Sequence, residues 1–300
     1  MEELDMNILL EIGEFTYKLR EETKKIVIES TPLSKIVQFV EDSIINAGYT
    51  PAFPCTVCIN EIAAHYTYYD EDYLLEKGDL VKVDFGINHK GNITDNAFTI
   101  EIGTNNFEEL LQANKKALDS ILENLKIGGT LDEIGKIPQE IASEHNFNTI
   151  HNLSGHQIGI NNLHFGLQIP NYPNNSKQQI KKNTLLAIEP FFTTGEPLVK
   201  SSGNSNILHL LSEQPVRDTI AKKVLNHIKE HYPKLPFSKR WLLKEFDKKK
   251  VNYAIRVLKS KNIIHEYEML VSKDNTPISQ FEDTIYIGEY ENTILTRKHK

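Results

Sequence analysis

The chain has 300 residues, 39% of them apolar, and a formal net charge of −7 at neutral pH. This composition is typical of a globular protein with a substantial core, and the negative charge disfavours general attraction to nucleic acid or an anionic membrane. No apolar run approaches the roughly 20 residues of a membrane span, and the acidic start does not resemble a signal peptide. Two cysteines exclude a disulfide framework. We therefore expect a cytoplasmic protein.

The spacing of apolar residues predicts an α+β chain in which helices and strands alternate. Helical spacing covers residues 1–48, and short β-rich runs begin at Pro51. Two helices are predicted next, one over residues 106–125 and one that starts with a capping box at Thr130. Strand-like runs return at residues 184–192 and 281–287.

Residues 217–266 differ from the rest of the chain in charge. They contain fourteen Lys or Arg and five Asp or Glu, a net charge of +9, which leaves −16 for the remainder. Their apolar spacing predicts three short helices, so we interpret this segment as a small helical insertion. Its Lys248–Lys250 cluster is either a solvated face or a surface that contacts ribosomal RNA near the exit of nascent chains.

Two aspartates in residues 80–95 are unusual for strands. Two strand-like runs flank a centre rich in Asn, Lys and Gly, which is typical of a hairpin. If residues whose numbers sum to about 179 face each other, Asp84 and Asp95 lie side by side with their carboxylates close together. Two such charges need a cation between them or a proton on one of them. The alternative is a pair of solvent-facing aspartates in a loose loop.

Three further polar residues stand among apolar neighbours. His156 follows a glycine, Glu189 ends an apolar run, and Glu282 lies in a strand-like run. Each of these residues, taken alone, is more often a polar residue with an ordinary hydrogen-bond partner than a metal ligand. A buried glutamate without a partner is costly, so it is expected to be paired or bound to metal. Together with the two aspartates they supply four carboxylates and one imidazole, a donor set that suits Mn, Co, Fe or Zn in a bridged pair.

The surrounding sequence resembles the methionine aminopeptidases of the pita-bread fold. The matching phrases, in the same order, are Pro-Ala-Phe-Pro at 51–54, Asn-Glu-Ile-Ala-Ala-His-Tyr-Thr at 60–67, Val-Asp-Phe-Gly at 83–86, Asn-Leu-Ser-Gly-His at 152–156, Ala-Ile-Glu-Pro-Phe at 187–191 and Gln-Phe-Glu at 280–282. The basic insertion before Glu282 resembles that of the type 2 subclass, and the short start resembles its compact archaeal-style form. The resemblance covers nearly the whole chain.

This resemblance implies a pita-bread catalytic domain, with an antiparallel sheet flanked by helices, over residues 1–205 and 270–300. Residues 206–269 would form a winged-helix-like helical insertion. The implied activity is removal of the N-terminal methionine from nascent proteins and peptides, with a preference for a small second residue, by a water or hydroxide that bridges two divalent metal ions. The implied metal ligands are Asp84, Asp95, His156, Glu189 and Glu282.

Other roles also come from the resemblance. Asp95 and Glu282 would bridge the metals, Glu189 would carry the proton to the leaving amine, and His65 and His164 would contact the substrate near the cleaved bond. Phe53 would form a wall of the methionine pocket. Phe165 departs from the family, which has a small residue there, and its ring is expected either to narrow the cleft or to point into the core.

Two other functions remain open at this level. One is a non-catalytic RNA- or protein-binding homologue on the same fold, and the other is a proline-directed aminopeptidase. The family suggests a monomer that acts on nascent chains, has no membrane or specific nucleic-acid partner, and can associate with the ribosome. The lone Cys55-x-x-Cys58 motif is expected to have no redox or metal role, because residues three apart in a strand point to opposite faces.

Overall fold

Helices and antiparallel strands alternate through the computed structural model, which describes residues 3–70 and 72–298. The helices of this part of the chain are α1 (Met6–Lys24), α2 (Leu33–Asn46), α3 (Glu108–Asn124), α4 (Leu131–Glu144), α5 (Thr219–His231), α6 (Lys239–Leu242) and α7 (Lys248–Ser260). None of these helices is both long and apolar enough to cross a membrane.

The strands are short and pair in antiparallel fashion. They are β1 (Thr50–Pro51), β2 (Thr56–Ile59), β3 (Ile62–Ala64), β4 (Leu80–His89), β5 (Asn92–Glu101), β6 (Asn148–Thr149), β7 (Ser154–Ile158), β8 (Gln168–Pro170), β9 (Thr184–Ile188), β10 (Phe191–Thr193), β11 (Val199–Leu210), β12 (Phe237–Ser238), β13 (Ile264–Ser272), β14 (Ile278–Gln280), β15 (Asp283–Ile287) and β16 (Asn292–Ile294). The α+β class predicted from the sequence is confirmed.

Local sequence explains where the first helices begin. The Asp5 side chain accepts hydrogen bonds from the backbone N–H groups of Asn7 and Ile8 at the start of α1. The capping box predicted at Thr130 is present, because Thr130 and Glu133 each accept a backbone N–H of the other. The apolar face of α1 then packs on the β4–β5 hairpin, and that of α2 packs on α1, β1 and β2 in the same core cluster, which fixes one wall of the functional site.

The β4–β5 hairpin turns at Lys90 and Gly91, which both have positive φ angles, of 50° and 85°. These are the angles of a type I′ turn, which favours glycine at its second central position. His89 therefore pairs with Asn92, and the numbers of paired residues sum to 181 rather than the expected 179. Asp84 and Asp95 are thus diagonal neighbours on one face, since Asp84 pairs with Ala97 and Gly86 with Asp95. The predicted direct pairing was wrong by two residues, which preserves the face.

A second sheet meets this hairpin. Strands β16, β15, β9, β7 and β8 are hydrogen-bonded in that order. His156 on β7 pairs with Ala187 on β9, and Asp283 on β15 pairs with Ile188 at the end of β9. Glu282 also forms a bridge to Ala97 of β5, with Glu282 N donating to Ala97 O at 2.9 Å. The ends of these strands therefore converge on Asp84 and Asp95.

The basic segment forms the three helices that its apolar spacing predicts, α5 to α7. They enclose a hydrophobic cluster of their own, which includes Val224, Leu242 and Leu258. Strands β11 and β13 flank the segment and pair with each other along most of their length. The expected domain boundaries, at residues 205/206 and 269/270, fall within these two strands.

Candidate metal centre

One cavity of about 310 Å³ lies where the two sheets meet the strands that flank the basic insertion. Every site residue predicted from the sequence lines it. These are Phe53, His65, Asp84, Asp95, His156, His164, Glu189 and Glu282. They come from segments up to more than 200 residues apart in the chain, so it is the fold that brings these residues together.

The acidic side of this cavity consists of Asp84, Asp95, Glu189 and Glu282, called the cavity carboxylates below. Asp95 and Glu282 are buried, with exposed fractions of 3% and 1%, whereas Asp84 and Glu189 are partly open to the cavity. One side-chain oxygen of Asp84, of Asp95 and of Glu282 is buried without a hydrogen-bond partner in the described structure. Buried oxygens of this kind are costly unless something outside the chain satisfies them.

His156 completes a group of potential ligands. Single donor atoms of Asp95, His156 and Glu282 all lie within 4.8 Å of one another. The His156 Nε2 atom is 3.5 Å from Asp95 Oδ2 and 3.8 Å from Glu189 Oε1. Gly155 allows this placement, since a Cβ atom there would stand only 2.5 Å from the backbone oxygen of Ala187. The close backbone approach expected from the Gly-His pair is therefore present.

Gln280 holds Glu189 at the other end of the cluster. Its Nε2 atom donates to Glu189 Oε2 at 3.1 Å, and the side chain is almost fully buried. The Gln280 backbone is itself fixed, because its N–H donates to Thr99 Oγ1 at 2.9 Å and its carbonyl accepts from that hydroxyl at 2.6 Å. Gln280 is thus a positioning group for Glu189 to which the sequence analysis assigned no role.

The electrostatics of the cavity point to a missing positive charge. Burial raises the pKa of Asp95 to about 7. Burial and repulsion from the other carboxylates raise the pKa values of Asp84, Glu189 and Glu282 well above their usual range. No lysine or arginine forms an ion pair with these groups in residues 3–70 and 72–298. Four carboxylates this close are all ionised only when a cation lies among them.

The residues therefore fit a metal centre. Hard oxygen donors with one imidazole are the ligands that divalent transition metals accept in two-metal hydrolytic sites. Burial lowers the pKa of His156 to about 4, so its ring is neutral at pH 7 and able to act as a ligand.

Three predicted substrate contacts lie around this cluster. Burial lowers the pKa of His65 to about 4, and its Nδ1 atom is 3.3 Å from the backbone oxygen of Glu268. The His164 ring contacts the His156 ring with 4.4 Å between centroids and remains exposed at the cavity mouth. The surrounding cavity walls, together with the neighbouring His156, lower the pKa of His164 to about 4. Phe53 is buried and packs on Gly86, where a Cβ atom would be 2.6 Å from Phe53 Cε1.

Phe165 lies at the cavity and not in the core. Its side chain is 50% exposed and lines the cavity wall. The ring rests against Gly159, where a Cβ atom would be 3.0 Å from Phe165 Cγ. Of the two expectations for this ring, the structure therefore supports a position at the cleft.

Several cavity residues escaped the sequence analysis. Ile207 of β11, Pro236 and Tyr267 of β13 line the wall contributed by the basic insertion and its flanking strands. The Tyr267 ring meets the His65 ring edge-on, with 5.4 Å between centroids. Nothing near these residues in the sequence marks them, because they reach the cavity only when the insertion packs beside it.

Cys55 and Cys58 are free thiols buried in the core. Burial raises the pKa of Cys58 to about 11 and that of Cys55 well above its usual range. Neither thiol is therefore a reactive thiolate at neutral pH, in keeping with the expected lack of a redox role.

The fold and the cavity together define the class of a metal-dependent peptidase, and comparisons with known proteins agree. A family model described as metallopeptidase family M24 matches residues 8–211. The methionine aminopeptidase of Methanothermobacter thermautotrophicus is 36% identical over 290 residues, which cover 96% of this chain and 97% of the relative. That of Methanocaldococcus jannaschii is 37% identical over 291 residues, with 96% and 97% covered. The chain belongs to metallopeptidase family M24.

Solved structures show the same fold. A methionine aminopeptidase from Thermotoga maritima superposes with a TM-score of 0.71 at 21% identity, covering 99% of this chain and 100% of that one. A thermophilic Arx1 superposes with a TM-score of 0.83 at 15% identity, covering 99% and 92%. The fold is the pita-bread fold that the sequence resemblance implied.

Proposed function

We propose that this protein removes the N-terminal methionine from nascent proteins and peptides, with a preference for a small second residue. One observation carries the proposal above all. Five donor residues from five separate segments converge on one cavity and leave buried oxygens that no group among residues 3–70 and 72–298 satisfies. Relatives at 32–37% identity over nearly the full chain are methionine aminopeptidases. This similarity favours a peptide with an N-terminal methionine as the substrate.

The proposed metal ligands are Asp84, Asp95, His156, Glu189 and Glu282. They have donors for two divalent ions, drawn from Mn, Co, Fe and Zn. When bound, such ions would activate water and polarise the scissile carbonyl as Lewis acids. The chain's own contribution is to fix these donors in a cavity that is open on the side of His164.

Glu189 is the proposed proton carrier. It lies beside the other carboxylates, and Gln280 holds one of its oxygens and leaves the other directed towards His156. A carboxylate at this place would be suited to accept a proton from water and deliver it to the leaving amine. His65 and His164, which border the same cavity, are placed to hydrogen-bond the scissile amide. Phe53 would contact the methionine side chain.

The basic insertion supports two further parts of the proposal. Residues 206–269 would form an insertion subdomain, since α5 to α7 enclose their own apolar cluster, and such a segment would place the chain in the type 2 subclass. The excess of lysines on this segment supports an association with ribosomal RNA near the exit of nascent chains. We propose that the protein acts as a cytoplasmic monomer, and its two free, buried thiols suit a reducing compartment.

The alternatives have weaker support. A non-catalytic homologue would not need the five donors and their unsatisfied oxygens. A proline-directed peptidase is represented among similar structures by the prolidase of Pyrococcus horikoshii, at 17% identity and a TM-score of 0.63, which is a likeness of fold. The relatives with strong sequence similarity are methionine aminopeptidases.

The test is activity on short peptides after chelation and stepwise return of each metal. We expect release of methionine from Met-Gly-Ser to disappear with the metal and to return with one or more of Mn, Co, Fe and Zn. An Ala-Pro peptide should stay intact under the same conditions. Cleavage of Ala-Pro in preference to Met-Gly-Ser would favour the proline-directed alternative, and no cleavage by metal-loaded protein would favour the non-catalytic one.

A further inference from the structure

A buried ionic cluster lies directly behind Glu282. The next residue, Asp283, has an exposed fraction of only 2% and contacts two arginines from distant parts of the chain. Arg20 of α1 donates from Nη1 to Asp283 Oδ1 at 2.8 Å, and Arg297 donates from Nε to Asp283 Oδ2 at 2.6 Å. Arg20 Nη1 is also 3.5 Å from the backbone oxygen of Glu282. The backbone that carries Glu282 is therefore held from both ends of the chain.

A second path of hydrogen bonds runs from Thr296 to Asp95. The Thr296 hydroxyl donates to Asp283 Oδ1 at 2.8 Å and accepts the backbone N–H of Thr284 at 3.0 Å. The Thr284 hydroxyl in turn donates to the backbone oxygen of Asp95 at 2.6 Å and accepts the Asp95 N–H at 2.7 Å. Thr284 and Thr296 are fully buried. The backbone of a second cavity carboxylate is thus fixed through the same segment.

Residues 295–297 are themselves firmly anchored. Leu295 is fully buried, and its N–H donates to the backbone oxygen of Thr284 at 2.8 Å. Its backbone packs so closely on α1 that a Cβ atom at Gly13 would stand 2.4 Å from Leu295 O. Arg20 Nη2 donates to Thr296 O at 2.7 Å, and Arg297 Nη2 also pairs with Asp119 of α3 at 2.6 Å. The segment, α1 and α3 thus form one brace behind the cavity.

We propose that Arg20, Thr296 and Arg297 are positioning residues of the metal centre, which set the places of Glu282 and Asp95 through Asp283 and Thr284. This inference rests on the proposed function, because it assumes that both carboxylates bind metal. No member of the brace lines the cavity, so its action is indirect: it fixes two ligands that come from different strands.

The physical reason is the narrow tolerance of metal coordination. Ligand distances must lie within a few tenths of an ångström of their preferred values, and hydrogen bonds behind the ligands maintain this geometry. Loss of such outer partners typically lowers metal affinity or activity about 10- to 100-fold. A purely structural ion pair would instead change the thermal stability of the metal-free and metal-loaded protein alike.

The experiment compares variants that leave the cavity lining untouched. Thr296→Val keeps the shape of the side chain and removes both of its hydrogen bonds. Arg297→Met removes one charge from Asp283, and Arg297→Lys tests for rescue. Lys18→Met is the matched control, since Lys18 lies on α1 near Arg20 and its ion pair among the described residues is with exposed Glu14 at 2.6 Å. Calorimetric titration of the metal-free proteins with Mn²⁺, their thermal melting, and kcat and KM for Met-Gly-Ser would be measured.

We expect Thr296→Val and Arg297→Met to weaken Mn²⁺ binding about 10-fold or more and to lower kcat more than they change KM. Arg297→Lys should recover part of the affinity, and Lys18→Met should match the unaltered protein. Unchanged Mn²⁺ affinity in Thr296→Val and Arg297→Met would overturn the brace alone. If the unaltered protein itself failed to bind Mn²⁺, Co²⁺, Fe²⁺ or Zn²⁺, the metal centre and the brace would both be wrong. If Arg297→Met fails to fold, the Mn²⁺ affinity of Thr296→Val, which changes no charge, tests the brace.

Discussion

Buried acidic residues occur in two regions of this protein and have different partners. Glu41, in the seam between the basic insertion and the rest of the chain, and Glu266, within the insertion, are buried and paired with cationic side chains. In the cavity, the four carboxylates have no lysine or arginine partner among residues 3–70 and 72–298. The contrast distinguishes buried acids that stabilise the fold through ion pairs from buried acids that are suited to bind a cation.

Glu41 shows what a satisfied buried acid looks like. Both its oxygens accept from the Arg240 guanidinium, at 2.8 and 2.9 Å, and one also accepts from Trp241 Nε1 at 2.8 Å. The Cys55 N–H donates to it at 3.3 Å. Glu266 similarly contacts the ammonium groups of Lys239 and Lys259. The Glu41–Arg240 pair joins the insertion to α2, whereas Glu266 joins β13 to α6 and α7 within the insertion.

The cavity carboxylates lack such partners. His156 is the nearest basic group, and burial lowers its pKa to about 4, so it supplies no positive charge at pH 7. The cluster is consequently a poor structural element by itself, and it is stabilised when a cation binds. Four predictions test this contrast, from the largest expected effect to the smallest.

The largest effect is expected from Glu189→Gln. This change keeps the size of the side chain and removes the proposed proton carrier, so turnover of Met-Gly-Ser should fall by about 10²–10⁴-fold while some metal is retained. The measurement is kcat beside metal content. Glu41→Gln serves as the control, because Glu41 lies outside the cavity and should leave kcat near its original value. A near-normal rate in Glu189→Gln would refute the assigned role.

The second prediction concerns Glu41. Glu41→Gln leaves Arg240 without its counter-charge in the seam, where both side chains are mostly buried. The free energy of unfolding should fall by about 3–5 kcal/mol, the usual cost of removing one partner from a buried pair. Urea unfolding would measure it, with the exposed Glu14→Gln as a control expected to change little. A large loss of Mn²⁺ affinity in Glu41→Gln would break the contrast between the two regions.

The third prediction is a pH dependence of the metal-free protein. In the folded state the pKa of Asp95 is about 7 against an ordinary 3.8, so the unfolded chain ionises first and stability is lost as pH rises from about 4 to 7. The three cavity histidines oppose this, because their pKa values are lowered from 6.5 to about 4 and their contribution grows with pH until about 6.5.

Above pH 6.5 the carboxylates therefore determine whether the stability of the metal-free protein rises or falls with pH. The melting temperature of metal-free protein should fall between pH 6.5 and 8, since the pKa values of Asp84, Glu189 and Glu282 are also raised. Saturating Mn²⁺ should remove most of this fall and should stabilise the protein more at pH 8 than at pH 6.5. Parallel melting curves with and without Mn²⁺ across this range would contradict the prediction.

The smallest effect is expected from Phe165→Ala. The ring is half exposed at the cavity, so its removal should widen the cleft and raise kcat/KM several-fold for peptides with a larger second residue, relative to Met-Gly. A series with Gly, Ala, Val and Leu in that position would measure it. Tyr290→Ala, at a side chain that is 98% exposed, is the control. Equal ratios across the series in both variants would exclude a role for Phe165 in selectivity.

Much of the protein could be predicted from its sequence, because the deciding signals are local. The capping box at Thr130 needs only a residue three positions away, and the apolar periods of α1, α2 and the basic insertion mark helices directly. The predicted site residues all line the cavity, and most of them lie in short and characteristic phrases, whereas Ile207, Pro236 and Tyr267 were missed. The resemblance of these phrases to one family then implied the fold.

Other features were not predicted, one because the type of a turn was not recognised and the rest because they depend on contacts between distant parts of the chain. The hairpin register was set by the positive φ angles that Lys90 and Gly91 can adopt together, which moved the pairing by two residues. Glu41 meets Arg240 across 199 positions, so no local pattern distinguishes this paired acid from Glu189, which has no lysine or arginine partner among the described residues. The sequence by itself identified the residues that are proposed to bind metal and substrate. Only the tertiary structure decided which buried charges are already neutralised, because a counter-charge acts through space and not along the chain.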